Sequence, residues 1–168
     1  MPRPIDSVYT SVIHTQRYRR MFIEINTSRF GRVTIEADSI ITFPTGLLGM
    51  EDCRAWVLLA DERADVLAWL QSVERPEIAL AVVSPRRFVP GCRLGIAQRE
   101  LMPLDLDDVT GAEVLVIVGK TEHAVTLNLK APVVINPRRR LGRQVVAKGD
   151  LPLAYELGSE RAALRKSA

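Results

Sequence analysis

The sequence predicts an all-β fold, mainly antiparallel, built as a sandwich or a barrel, with helix only in short turns. Three observations lead to this prediction. Apolar segments recur along the chain, and nearly all of them are four to seven residues long. Short stretches containing charged residues, Pro or Gly separate these segments. No regular alternation of strand and helix patterns is present, which disfavours an α/β architecture.

The predicted elements follow one another from about residue 21. The first two strands alternate in polarity, and Arg29–Gly31 between them supplies a hairpin turn. The next three strands end at charged or Pro-containing breaks. Cys92–Leu101 is ambiguous between helix and strand, and Asp105–Val109 can open a turn of helix. The predicted strands are Phe22–Asn26, Arg32–Glu36, Ala55–Leu59, Val66–Gln71, Ile78–Val83, Glu113–Val118, Ala124–Asn128, Val133–Ile135 and Arg143–Ala147.

The 168 residues suffice for one domain with its own core. We expect that domain at residues 21–150, between an N-terminal extension that we expect to be disordered, residues 1–20, and a charged C-terminal tail, residues 151–168. The net charge of +3 lies entirely in the extension, which carries four arginines and one aspartate. Because the rest of the chain is neutral, the pI near 9.1 does not indicate a nucleic-acid-binding fold.

The residue pattern offers no site for catalysis, a cofactor or a metal. His14 and His123 are isolated, and Cys53 and Cys92 belong to no Cys/His cluster, so we expect two reduced, partly buried thiols. The acidic cluster Asp105–Asp108 lacks the Gly and the closing Glu of a calcium loop. No catalytic Ser, zinc-protease or phosphate-loop motif is present. We therefore expect a protein that is not an enzyme.

The apolar runs are too short for a membrane span. The longest strand-like run, Val114–Val118, falls well below the roughly 18 residues that a spanning helix needs. The N-terminus shows no continuous apolar segment typical of a secretory signal. We therefore expect a cytoplasmic protein.

Three stretches are candidates for binding a partner. Phe43–Met50 places bulky apolar residues between Pro and Gly, so it forms either a fixed apolar surface or a plug at the end of a barrel. Trp69–Ser72 ends a strand with an amide and a hydroxyl, and an Asn stands at each end of Asn128–Asn136, where Asn commonly caps turns. The candidate partner-binding residues are Phe43, Gly46, Leu47, Leu48, Gly49, Met50, Gln71, Ser72, Asn128 and Asn136.

In their order and spacing, these stretches resemble the FliW family of bacterial flagellar assembly factors. The long Val125–Asn136 stretch, with its Thr-x-Asn-Leu-x-Ala-Pro-x-x-Ile-Asn pattern, is the most specific part. One position departs from the family pattern, since Met50 stands where Phe is usual, and this replacement keeps the position apolar. The segments that carry the resemblance are Phe43–Met50, Trp69–Ser72 with Pro76, Val125–Asn136 and Gly142–Val145.

The resemblance implies a small β-barrel-like domain without enzymatic activity, from a flagellated bacterium. It implies two protein partners: CsrA, an RNA-binding translational regulator whose repression of flagellin synthesis is relieved on binding, and flagellin itself. Accumulating flagellin would then free CsrA. Neither a nucleic acid nor a membrane is an implied partner.

A basic, RNA-binding partner favours an acidic face on this protein. Negative charge on that face attracts the basic partner and repels RNA. The candidates for that face are Glu51, Asp52, Asp61, Glu62, Asp65, Asp105, Asp107 and Asp108.

Two other classes of function stay open at this point. A nucleic-acid-binding module would use the arginines of the extension, Arg17, Arg19 and Arg20, together with Arg138–Arg140. However, Arg138–Arg140 falls in a predicted turn with no interleaved aromatic residue to stack on bases. A hydrolase on a β scaffold would require a concave pocket with a nucleophile beside a base.

Deletion of residues 1–20 is expected to leave the fold intact, because the strand pattern and the family resemblance both begin at about Met21. Thermal unfolding of the truncated chain should show the same cooperative transition as the full chain. Loss of that transition would make the extension part of the core.

Overall fold

Short strands make up most of the regular structure in the computed structural model, which describes residues 20–158. The described part holds eleven strands, one short helix and four single turns of 3₁₀ helix. The strands are β1 (Phe22–Thr27), β2 (Gly31–Glu36), β3 (Ile41–Thr42), β4 (Ala55–Ala60), β5 (Leu67–Ser72), β6 (Ala79–Val83), β7 (Glu113–Lys120), β8 (Val125–Leu127), β9 (Val133–Asn136), β10 (Leu141–Gln144) and β11 (Tyr155–Glu156). The helix is α1 (Gln98–Leu101), and the 3₁₀ turns are Ala37–Ser39, Pro85–Arg87, Met102–Leu104 and Val109–Gly111.

Seven of these strands close into a barrel, which confirms the all-β prediction. Their order is β7-β6-β5-β4-β3-β10-β9, and pairing of β9 with β7 closes the ring. Every pairing is antiparallel except that of β3 with β10, which is parallel. β8 and β11 extend the sheet from β7, while β1 and β2 form a separate hairpin.

The barrel wall is apolar on both faces. Successive side chains of a strand point to opposite faces, so Val82 packs inside the barrel while Val83 packs outside. Trp56, Leu70 and Val133 fill the interior and are 0% exposed. Burial on both faces explains why strands such as Val133–Ile135 read as continuous apolar runs rather than alternating ones.

Three coverings bury the outer face of the wall. β8 packs over β5, β6 and β7 through Val125 and Leu127. The segment that contains α1 covers β9 and β10 through Leu101 and Leu104. The β1–β2 hairpin covers β4, where Ile25 and Ile35 meet Val57.

The structure differs from the predicted elements at three places. The last predicted strand, Arg143–Ala147, lies earlier, at Leu141–Gln144, because Val145 and Ala147 bond to the irregular segment at Pro132 and Lys130 instead of to a strand. β3 and β11 were not predicted, since two residues carry no periodicity. β11 lies past residue 150 and pairs with β8. The sheet therefore extends into residues 151–168, the segment that the sequence analysis assigns to the C-terminal tail.

Other predicted elements have the predicted character or lie outside the described residues. The Arg29–Gly31 turn is present, with Gly31 at a φ of +70°. The ambiguous stretch Cys92–Leu101 ends in α1. Both cysteines are free, Cys53 buried and Cys92 half-buried, and burial raises the pKa of the Cys92 thiol. Residues 1–19 of the extension and residues 159–168 of the tail lie outside the described residues.

Replacement of Gly142 by Ala is expected to destabilise the barrel by about 1–3 kcal/mol, the usual cost of overpacking. A Cβ at this position would lie 2.3 Å from the Phe43 ring. Urea unfolding of Gly142→Ala and Gly158→Ala tests this, because a Cβ at Gly158 meets nothing within 4 Å. Equal stability of the two variants would contradict the close packing.

Candidate protein-binding surface

The loop from Phe43 to Cys53 caps one end of the barrel. Phe43 is 0% exposed and Leu47 is 1% exposed. The Phe43 ring packs edge-on against Trp56, with 6.2 Å between ring centroids, and lies directly against the backbone of Gly142. These two side chains therefore plug the barrel end and anchor the loop.

Two glycines give the loop its shape. The Met50 N–H donates to the Leu47 carbonyl at 2.8 Å, and Gly49, the third residue of that turn, has a φ of +80°. Positive φ at the third position is the requirement of a type II turn, which Gly meets without strain. Gly46 has a φ of +66°, and a Cβ there would lie 2.5 Å from the Cα of Glu51. The loop thus depends on Gly at both positions.

The tip of this loop projects Leu48 into solvent. Leu48 is 59% exposed, and its backbone N–H donates to Oε1 of Gln144 at 3.0 Å. The Gln144 amide nitrogen in turn donates to the Ala131 carbonyl at 3.1 Å. Val146, two residues beyond Gln144, is also 59% exposed. An apolar side chain therefore stands on a turn that is tied to the barrel wall; we call residues 48–52 the Leu48 surface.

The sequence left two interpretations of Phe43–Met50, a plug in the barrel end or an exposed apolar surface. In the structure, some residues of the loop form the plug and others form the exposed surface. Phe43 and Leu47 are buried, and so is Gly46. Leu48 and Gly49 are exposed, and Met50 is half-buried. Only the exposed residues are available to a partner.

Carboxylates surround the Leu48 surface. Glu51 accepts the Gly49 N–H at 2.9 Å, and Asp52 lies 3.5 Å from the Arg75 guanidinium. Arg75 also binds Glu77 at 3.0 Å; the backbone N–H of Glu77 and then the Arg75 guanidinium lower the pKa of this carboxyl. Glu74 accepts the N–H of Arg54 nearby. Four carboxylates therefore lie in or near the Leu48 surface, and two of them, Asp52 and Glu77, pair with the Arg75 guanidinium.

The other acidic candidates lie at the opposite end of the barrel. β4 starts beside the Leu48 surface and runs roughly 17 Å to Ala60, so Asp61, Glu62 and Asp65 follow at its far end. Asp105 pairs with Arg139 at 2.5 Å, next to the end of β9 that points away from Gln144. Asp107 and Asp108 belong to the same segment, and hydrogen bonds from the Thr110 hydroxyl and N–H lower the pKa of Asp108.

The four polar candidates make bonds that hold turns. The Gln71 amide nitrogen donates to the carbonyls of Ser72, Pro76 and Ile78, and the Ser72 hydroxyl accepts two N–H groups of the same turn. Asn128 accepts the Ala131 N–H. Asn136 accepts the N–H groups of Arg138 and Arg139 and donates to the Leu104 carbonyl. Gln71, Ser72 and Asn136 are buried, and Asn128 is half-buried.

The arginine run occupies the turn between β9 and β10. Arg139 pairs with Asp105, and Arg140 donates to the Asp38 carbonyl at 2.6 Å.

His123 is exposed in the turn between β7 and β8. Within residues 20–158, no three His, Cys, Asp or Glu side chains are grouped as metal ligands. None of the helices in that range is long and apolar enough to cross a membrane.

Sequence reasoning missed Gln144 as the residue that holds the Leu48 surface in place. Gln144 falls in a segment that carries the family resemblance, but its bond to Leu48 joins positions 96 residues apart. No local pattern signals such a contact.

Comparison with known proteins decides the family. The family model described as FliW protein matches residues 24–157, most of the chain. The chain belongs to the FliW family. A FliW flagellar assembly factor from Natranaerobius thermophilus is 37% identical over 127 residues, covering 74% of this chain and 84% of that relative. The FliW from Bdellovibrio bacteriovorus is 40% identical over 124 residues, covering 73% of this chain and 71% of its own.

A solved FliW structure has the same fold. The crystal structure of the flagellar assembly factor FliW superposes with a TM-score of 0.75 at 27% sequence identity. The match covers 83% of this chain and 100% of the FliW chain in the crystal.

Leu47→Ala is expected to cost about 2–5 kcal/mol of unfolding free energy, because it leaves a cavity in the plug. Leu48→Ala is expected to change that free energy by less than about 0.5 kcal/mol, because its side chain is exposed. Urea unfolding of the pair measures both. Similar destabilisation by the two variants would show that Leu48 also packs in the core.

Proposed function

We propose that this FliW family member is a non-enzymatic binding protein that takes CsrA and flagellin as alternative partners and so couples flagellin supply to flagellin synthesis. The observation that supports this most directly is the Leu48 surface. It presents an exposed leucine on a fixed turn among carboxylates. An apolar anchor within a charged rim is the arrangement that protein interfaces use.

The charge of this surface suits CsrA. An RNA-binding regulator carries positive charge where it meets phosphates, and the carboxylates around Leu48 complement that charge. The same carboxylates repel RNA, so binding here would compete with RNA rather than assist it. Relief of translational repression follows from that competition.

Exchange between two partners requires that they compete for one surface of moderate size. Because Gly46 and Gly49 set the loop and Gln144 holds its tip, the surface is preorganised for either partner. We place this exchange in the cytoplasm, where messenger RNA is translated.

The nucleic-acid alternative finds less support. Arg139 and Arg140 are occupied by contacts within the chain, and the body of the chain carries no net charge. A phosphate-binding surface needs several converging cations.

Leu48→Ala is expected to weaken CsrA binding by more than about 1 kcal/mol, equivalent to roughly fivefold or more in Kd. Calorimetric titration of the full chain with CsrA measures the affinity, and added flagellin should displace CsrA from the wild-type protein.

The matched control is Met102→Ala, which removes an apolar side chain that is 69% exposed, in the 3₁₀ turn that Asn136 holds at the other end of the barrel. Met102→Ala should bind CsrA as the wild type does. Equal affinities for the two variants would contradict the assignment of the Leu48 surface, and retention of CsrA in the presence of excess flagellin would contradict the exchange.

A further inference from the structure

A pocket of about 630 Å³ lies beyond the end of β6 that points away from the Leu48 surface. Four segments of the chain enclose it: residues 84–86 after β6, residues 92–96, residues 109–112 and the start of β7 at residues 113–115. Its volume falls within the roughly 300–1,000 Å³ that is typical of sites for small organic ligands. The exchange of protein partners proposed above does not use this pocket.

Apolar side chains form most of the pocket wall. Cys92 and Leu94 pack against the apolar layer that β8 makes on the outside of the barrel. Ile96 and Ala112 pack against the layer that contains α1. Leu94 and Ile96 are only half-buried, so part of their surface is open to the pocket. A ligand with an apolar part would remove this surface from water.

Two arginines of the pocket are available to a ligand. Arg86 and Arg93 both line it, and both are exposed. Among residues 20–158, neither guanidinium takes part in an ion pair or a hydrogen bond. Arg143 differs from them, because it is held by Glu100 at 3.1 Å.

The pocket lining includes one carboxylate, that of Glu113, which strand alternation directs to the other face of β7. Glu113 shares a face with Leu115, which packs in the barrel interior. Val114 shares the opposite face with Val116, which packs in the outer layer with Leu94. With two arginines against one glutamate, the lining keeps a net charge of +1 even when Glu113 is counted. An anionic ligand is therefore favoured.

The start of β7 adds a main-chain donor. The Asn128 N–H donates to the Ile117 carbonyl at 2.9 Å, so odd-numbered residues of β7 face β8 and β9. Even-numbered residues face β6, and the pairing of β6 with β7 ends at Val116. The N–H of Val114 is therefore directed past the end of β6, where Pro85 stands opposite and lines the pocket.

We propose that this pocket binds a small organic anion, a carboxylate or a phosphate joined to an apolar group. Carboxylates and phosphates accept charge-assisted hydrogen bonds from arginine, which the guanidiniums of Arg86 and Arg93 supply here. The half-buried Leu94 and Ile96 cover the apolar group. Enclosure by four segments of the chain favours a compact ligand over an extended peptide.

Four probes that differ in their polar group test this proposal on the full chain: hexanoate, phenyl phosphate, hexylamine and hexanol. We expect hexanoate and phenyl phosphate to bind saturably, in the millimolar range usual for ligands of this size, and to shift the amide resonances of Leu94, Ile96 and Val114. Hexylamine and hexanol should cause much smaller shifts. The tighter of the two anions tells whether the site prefers a carboxylate or a phosphate.

Arg86→Gln and Arg93→Gln are each expected to weaken binding of the tighter anion about threefold. The matched control is Arg87→Gln, which removes an exposed guanidinium from the same turn but outside the pocket lining, and it should bind as the wild type does. All three side chains are exposed, so the variants should keep the stability of the wild type.

Three results would overturn the proposal. The first is that neither anion binds saturably at millimolar concentration. The second is that hexanol or hexylamine shifts the same resonances as strongly as the anions do. The third is that Arg86→Gln and Arg93→Gln bind no more weakly than Arg87→Gln.

Discussion

The packing of Phe43 against Gly142 is the contact on which the rest of the structure depends. The backbone of β10 passes so close to the ring that no side chain fits at residue 142. This contact lies beside the parallel pairing of β3 with β10, one of the two places where the β3–β6 side of the barrel joins the β9–β10 side; the other is through β7. It also fixes the start of the loop, so one contact supports both the β3–β10 junction and the position of the Leu48 surface.

The two ends of the barrel carry different chemistry because different turns close them. At one end, Glu51, Asp52 and Glu77 surround an exposed leucine. Ion pairs occur at both ends, through Arg75 beside Asp52 and Glu77 and through Arg139 beside Asp105, but the exposed leucine stands at the first end. The proposed CsrA interaction uses the end where carboxylates lie beside an exposed leucine, because such carboxylates attract a partner with a positive surface.

Much of the fold follows from local sequence, because nine strands are long enough to show their apolar pattern. Closure of the barrel does not, since it depends on pairing of β3 with β10 and of β7 with β9, strands that are not consecutive in the chain. The sequence also does not show that Leu47 is buried and Leu48 is exposed. The two leucines are neighbours between the same glycines, and the bond that holds the exposed one, at its backbone N–H, comes from Gln144. Turn capping was already an alternative for Asn136 in the sequence, whereas only the structure shows that the Gln71 amide also bonds to a turn.

The central claim is that the Leu48 surface is a preformed site for a protein partner, and backbone amide chemical shifts test it most directly. The full chain, isotopically labelled, would be titrated with CsrA. The account predicts that shift changes concentrate at Leu48, Gly49 and Glu51 and extend to Gln144, with the rest of the barrel unchanged. Changes confined to the opposite end of the barrel, at Arg138–Arg140, with none at Leu48, would contradict it.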